Sequence, residues 1–156
     1  VSIANYNCPG QIVITGEAAA VAEAGTALKE AGARRVLPLK VSGPFHSPMM
    51  RPAGEELAKV FARVSMNPLK IPYVANINAE VITDCGRIEG LLVEQVSGSV
   101  RWQQSVETMI REWVDTFVEI GPGKTLTGFL RKIDKNVKAY HIGSWEEAVQ
   151  VCEELK

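Results

Sequence analysis

The order in which short apolar runs alternate with helix-patterned stretches most narrows what this chain can fold into. Over the last third, the apolar run Thr116–Ile120 leads through Gly121-Pro122-Gly123 into a helical pattern over Leu126–Ile133. A second apolar run, Val137–Ile142, then precedes an amphipathic helix over Ser144–Leu155. Parallel strands need a crossover of a dozen or more residues, usually a helix, and this spacing supplies one. The later part is therefore expected to be α/β with a largely parallel sheet.

The front reads differently. Val1–Ala4 and Gln11–Thr15 predict strands around a turn at Tyr6-Asn7-Cys8-Pro9-Gly10, which makes a hairpin. In Glu17–Ala31, residues Val21, Ala24, Leu28 and Ala31 recur at helical spacing, and Gly32 follows as a stop. Arg35–Val41 is strand-like, with Pro38 arguing for an edge position because it has no N–H to give a ladder. The predicted unit ββαβ reads as a fragment of a split βαββαβ arrangement, whose first strand and helix are expected to lie outside this sequence. Further on, a helix is expected over Arg51–Ser65, with Pro52 in its first turn and Leu57, Val60, Phe61 and Val64 on one face. A strand at Ile71–Asn76, a polar turn at Asp84-Cys85-Gly86 and helices at Ile88–Val96 and Trp102–Trp113 follow. In the last of these, Trp102, Val106, Met109, Ile110 and Trp113 form a stripe that reads as core packing. No internal repeat or low-complexity linker interrupts the chain.

Composition excludes several classes of function. With 46% hydrophobic and 22% charged residues, the chain of 156 residues can bury one ordinary core. A net charge of -1 lacks the basic balance of a general nucleic-acid binder. No apolar run is long enough for a membrane span and no signal-peptide pattern opens the chain, so a cytoplasmic protein is expected. Cys8, Cys85 and Cys152 are odd in number and widely spaced, which fits reduced packing residues and neither a disulfide framework nor a metal pair. The first methionine is Met49, so the sequence is expected to begin inside a longer one.

Few residues offer chemistry. Gly123-Lys124-Thr125 imitates the end of a phosphate-binding loop, but the required earlier glycine falls on Val118, inside a strand, so a tight strand-to-helix turn is expected instead. Ser42-Gly43-Pro44-Phe45-His46-Ser47-Pro48-Met49-Met50 follows a predicted strand, where α/β folds commonly place catalytic groups. Imidazole titrates near neutral pH, so His46 could take a proton from a nucleophile and return it to a leaving group. His141 reads as structural. Glu55-Glu56 and Glu146-Glu147 are adjacent on helices, so each pair diverges and faces solvent. Asn5-Tyr6-Asn7, Asn76-Ile77-Asn78 and Val100-Arg101-Trp102 read singly as turns or caps, and no constellation of metal ligands is present.

Taken in order, Asn5-Tyr6-Asn7-Cys8-Pro9-Gly10-Gln11-Ile12-Val13, Ala31–Ser42, Phe45-His46-Ser47-Pro48-Met49-Met50, Asn76-Ile77-Asn78, Val100-Arg101-Trp102 and Glu119–Leu126 resemble the C-terminal half of malonyl-CoA:acyl-carrier-protein transacylases. The resemblance runs through essentially the whole chain. It implies an α/β-hydrolase-like acyltransferase domain with an incomplete ferredoxin-like subdomain, divided as 1–41 and 42–156. It also implies malonyl transfer from coenzyme A to a serine, then to the phosphopantetheine thiol of acyl carrier protein, as in fatty-acid synthesis. The family's GxSxG serine motif is absent here, so the chain is expected to need the missing N-terminal half and to be inactive without it. By position, His46 matches the catalytic histidine. Arg101 matches the residue whose backbone carbonyl orients that histidine in place of a triad aspartate. Phe45 resembles the aromatic residue that crowds out a methyl branch, and Asn7 an asparagine near the acyl pocket. Arg34 and Arg35 match a proposed docking site for the acidic carrier protein, and equally suit solvated charges past a helix end. No metal or resident cofactor is implied, the substrates being malonyl-CoA and the carrier's thiol. An acyltransferase domain cut from a polyketide or multifunctional fatty-acid synthase, and a non-catalytic carrier-binding module, remain alternatives.

Overall fold

The computed structural model describes all residues, 1–156. It opens with a hairpin, β1 (Ser2–Cys8) antiparallel to β2 (Gln11–Thr15), in which Cys8 pairs with Gln11. The connection is therefore only Pro9-Gly10, and Gly10 takes φ 78°, a left-handed angle that a side chain would resist. The expected turn at Tyr6–Gly10 is corrected here: β1 continues through Asn5, Tyr6 and Asn7. Those polar residues are held in a strand because β1 has neighbours on both sides. Opposite β2, Tyr6 N–H donates to the Val100 carbonyl at 2.9 Å, and Val100 N–H donates to Ala4 at 2.7 Å.

Helix α1 (Ala18–Glu30) ends as its sequence predicts. Gly32, at φ 96°, lets its own N–H reach the Lys29 carbonyl and the Ala33 N–H reach Leu28, closing a Schellman motif. The expected strand over Arg35–Val41 does not form, so the front unit is ββα and not ββαβ. Pro38 cannot donate, and no strand of this chain lies alongside. Leu37, Leu39 and Val41 stand 66%, 61% and 64% exposed, an apolar alternation without a partner.

A short 3-10 turn at Pro48–Met50 runs into α2 (Arg51–Phe61), which stops before the expected Ser65. There Arg63 and Val64 donate to the carbonyls three residues back, tightening the last turn. Helix α2 packs on α3 (Ile88–Ser97) at the buried Gly54, where a Cβ would lie 3.2 Å from the Val93 carbonyl oxygen. The contact is made closer to the helix start than the predicted stripe, whose Val60 and Val64 remain exposed.

The strand expected over Ile71–Asn76 shrinks to β3 (Tyr73–Val74), paired antiparallel with β4 (Val81–Ile82). Helix α4 (Trp102–Arg111) buries Val106 completely, but Trp113 lies beyond its end at φ 67°, 94% exposed. The predicted apolar stripe thus overshot: the helix had already ended, and the turn that ends it swings Trp113 outward. β5 (Thr116–Ile120), α5 (Thr125–Ile133), β6 (Lys138–Ile142) and α6 (Trp145–Glu154) form the expected βαβα unit, with β5 and β6 parallel in register from Thr116↔Lys138 to Ile120↔Ile142. The chain is α/β as expected, its parallel character confined to β5–β6 and the Val100 bridge.

The core is small. Ile82 and Val106 are fully buried, Ala4, Cys8, Ala75, Ala79, Leu130 and Val151 are the other buried apolar residues, and α4 and α5 pack against β1. The three cysteines are free. Cys8 is a packing residue as expected, whereas Cys152 is exposed. No helix is long and apolar enough to cross a membrane.

Candidate active site

The loop before α2 presents His46 in a constrained form. His46 has φ 57°, one of three non-glycine residues with a positive φ, a conformation that costs about 1–2 kcal/mol for an ordinary side chain. Residues on both sides hold it there. Ser47, 1% exposed, donates its hydroxyl to the Pro44 carbonyl at 2.7 Å and accepts from the Met49 N–H at 3.3 Å. Pro48 starts the 3-10 turn, where a missing N–H costs nothing.

The half-buried ring reaches the end of α3. His46 Nδ1 lies 3.1 Å from the backbone carbonyl oxygen of Gln95. A carbonyl only accepts, so in the neutral ring Nδ1 carries the hydrogen and the lone pair sits on Nε2. That carbonyl is available for a physical reason. The last four carbonyls of a helix have no intrahelical donor, and although Gly98 N–H serves Glu94 at 2.9 Å, the extended backbone of Gly98 stops the ladder before Gln95 is served. The same helix end carries partial negative charge, which faces the ring. The Gln95 amide nitrogen is 3.5 Å from the ring but donates to the Gly98 carbonyl at 3.1 Å, while its Oε1 is buried without a partner.

This geometry corrects the expected role of Arg101. The Arg101 carbonyl is occupied by both the N–H and the hydroxyl of Ser105, each at 2.8 Å, so the carbonyl that meets the ring is that of Gln95, six residues earlier. Arg101 N–H donates to Asn76 at 2.8 Å, which joins the start of α4 to the β3–β4 turn. The sequence offered no side-chain signal for Gln95. Its only trace was a helix due to stop just ahead of Gly98.

None of the remaining predicted residues hydrogen-bonds to the ring. Phe45 is 47% exposed beside Gly43, and Asn7 is half-buried on β1 with no side-chain hydrogen bond. Arg34 and Arg35 lie exposed past α1 without an ion-pair partner. Behind Gln95, Tyr73, Ala75, Ile77, Leu91 and Leu92 line a cavity of about 130 Å³, and burial pushes the Tyr73 phenol up, with Arg87 opposing.

At the other candidate, Gly121 and Gly123 take φ 137° and 87° in the turn between β5 and α5. The place where phosphate would sit is already filled. The Glu119 carboxylate accepts from Leu126 N–H at 3.0 Å, from Thr127 N–H at 2.7 Å and from the Thr127 hydroxyl at 2.6 Å, capping α5. Burial by itself would push Glu119 up, but the Thr127 and Leu126 hydrogen bonds, helped by His141, together hold it below the usual carboxylate value. His141 is structural in its geometry, with Nε2 2.9 Å from the Gly121 carbonyl oxygen and Nδ1 3.4 Å from Glu147. Glu147 is held low first by the Gly143 N–H, against a smaller desolvation, and then by the charges of His141 and Lys124. Rather than pointing idly at solvent, it thus ties α6 to the end of β6.

The acyl transferase domain family matches residues 1–151. The chain belongs to that family. The malonyl CoA-acyl carrier protein transacylase of Bacillus subtilis is 42% identical over 156 residues, which is 100% of this chain and 49% of that protein. Two solved acyl transferases are similar in fold. The Streptococcus pneumoniae MCAT superposes with a TM-score of 0.92 at 43% identity, over 98% of this chain and 50% of the other. A malonyl-transacylase in complex with a type II PKS acyl-carrier protein gives 0.95 at 37%, again over 98% and 50%. The chain therefore spans about half the length of the acyl transferases it matches.

Proposed function

We propose that this chain supplies the proton-transfer half of a malonyl-CoA:acyl-carrier-protein transacylase, with His46 as general base and general acid. The observation that carries this reading is the 3.1 Å approach of His46 Nδ1 to the Gln95 carbonyl oxygen, in a chain of the acyl transferase family. A base held by Nδ1 presents Nε2, the nitrogen that can take a proton from a serine hydroxyl as the serine attacks the malonyl thioester. The imidazolium so formed lies at the C-terminal end of α3, and returns its proton to the departing coenzyme A thiolate. In the second half, Nε2 takes the proton of the phosphopantetheine thiol, the thiolate attacks the malonyl-serine ester, and the serine recovers its hydrogen. The Gln95 carbonyl thereby does the orienting that an aspartate does in a Ser-His-Asp triad.

The serine belongs to the part of the relatives' length outside this chain, so the partners in this reading are that N-terminal half, malonyl-CoA and acyl carrier protein. Similarity to a transacylase solved with its carrier protein supports the last of these. Phe45 and Asn7 are proposed to border the acyl group, and Arg34 and Arg35 to meet the acidic carrier. The reading places the enzyme in the cytoplasm, assigns it no resident cofactor, and divides the chain at 41/42.

The test is His46→Ala in the protein that joins this sequence to its serine-bearing half. Malonyl transfer from coenzyme A to holo-carrier protein is expected to fall by about 10²–10⁴-fold with the fold retained. Turnover within a few-fold of the parent would refute the assignment.

A further inference from the structure

We infer that Ser47 is a positioning residue, whose hydroxyl fixes the direction in which the His46 ring points. The inference rests on the reading of His46 as the base. An ordinary N-cap hydroxyl needs only to accept a hydrogen bond from the turn that follows it, as Ser47 Oγ does from the Met49 N–H at 3.3 Å. Ser47 goes further. Its hydroxyl hydrogen is directed backwards, to the Pro44 carbonyl oxygen at 2.7 Å, so the closed ring of atoms spans Phe45 and His46. The residue enclosed by that closure is the one with φ 57°.

Two anchors therefore define the imidazole: the Ser47 hydroxyl sets the backbone, and the Gln95 carbonyl receives the ring. The 3-10 turn that Ser47 caps also packs against α3, so both anchors are referred to one helix. At 1% exposure Ser47 is shut off from bulk water, so its hydroxyl bonds to the protein alone. Without it, the backward tie across Phe45 and His46 is gone and His46 is freer to relax to a negative φ, which would swing Nε2 away from its reacting partner.

The experiment compares Ser47→Ala, and Ser47→Cys as a variant of similar volume with a weak donor, in the same serine-bearing protein used for His46→Ala. Malonyl transfer kinetics are read together with the ¹⁵N signals of the His46 ring. Ser47→Ala is expected to lower kcat about 10- to 100-fold with KM for malonyl-CoA within about two-fold, because misplacement of a catalytic group by about 1 Å has that scale of effect. The Nδ1-protonated signature of His46 should give way to that of a mixture of tautomers. If the alanine variant does not fold, the cysteine variant carries the same readouts. A folded variant with reduced thermal stability but unchanged kcat and unchanged His46 ring signals would show Ser47 to be a structural cap, overturning the inference. His46→Ala separates the two ideas: an active His46→Ala protein refutes the proposed function, whereas an inactive one beside a fully active Ser47→Ala refutes only this inference.

Discussion

Removing one negative charge, by Glu119→Gln, should loosen the C-terminal βαβα unit in a pH-dependent way. The carboxylate takes three hydrogen bonds from the first turn of α5: one on Oε1 from Leu126 and two on Oε2 from Thr127. A hydrogen bond to a charged group contributes about 1.5–3 kcal/mol, and a neutral one about half of that. Glutamine keeps one oxygen but turns an NH2 toward N–H donors, so at least one bond is lost and the rest are weakened. The side chain is partly solvated, which reduces the effect, and the expected loss at pH 7 is about 1–2 kcal/mol. For a chain of this size that corresponds to roughly 2–8 °C in Tm. The folded-state pKa of Glu119 lies below its ordinary 4.5, so the carboxylate's contribution is complete above that value. It is lost as pH falls through the lower, folded-state value, where the protonated acid resembles the glutamine. Urea unfolding of both proteins from pH 7 to pH 3 should show a gap that is full at neutral pH and closes below pH 4.5. The same gap at pH 3 as at pH 7, or none at pH 7, would refute the capping argument.

Two further perturbations test the packing that supports the site. Val106→Ala empties a fully buried position between α4 and β1 and should cost about 2 kcal/mol of unfolding free energy, measured by denaturant titration; a loss below about 0.5 kcal/mol would place Val106 outside the core. Gly54→Ala would put a Cβ 3.2 Å from the Val93 carbonyl oxygen, forcing α2 and α3 apart at a cost of about 1–3 kcal/mol. Its ¹⁵N spectrum should also show the His46 ring weakening its bond to Gln95, and an unchanged ring signal would mean that α2 moves independently of the loop.

Much of the later half was legible in sequence because its signals are local. Thr116–Ile120, Lys138–Ile142 and the helices between and after them carry their own periodicity. Strands that depend on distant partners were not legible. Asn5-Tyr6-Asn7 looks like a turn until Val100 lies beside it, and Leu37, Leu39 and Val41 look like a strand although nothing in this chain pairs with them. Trp113 was misread because helical periodicity does not mark where a helix stops. Within the site, His46 was visible as a titratable ring in a stiff loop. Gln95 was not, because its contribution is a carbonyl that every residue type possesses.

That last point bears on how such a site tolerates change. A side-chain acceptor is lost by a single codon change, whereas the acceptor at position 95 survives replacement of the glutamine by any residue that stays helical. A scan of alanine variants would pass over it. What the gene must preserve is the length of α3: one more turn of helix would bring an N–H onto that carbonyl and take it from the imidazole. Heritable information about the orientation of His46 thus resides in the stop signal around Gly98, where insertions, deletions and helix-extending substitutions matter more than the chemistry of residue 95.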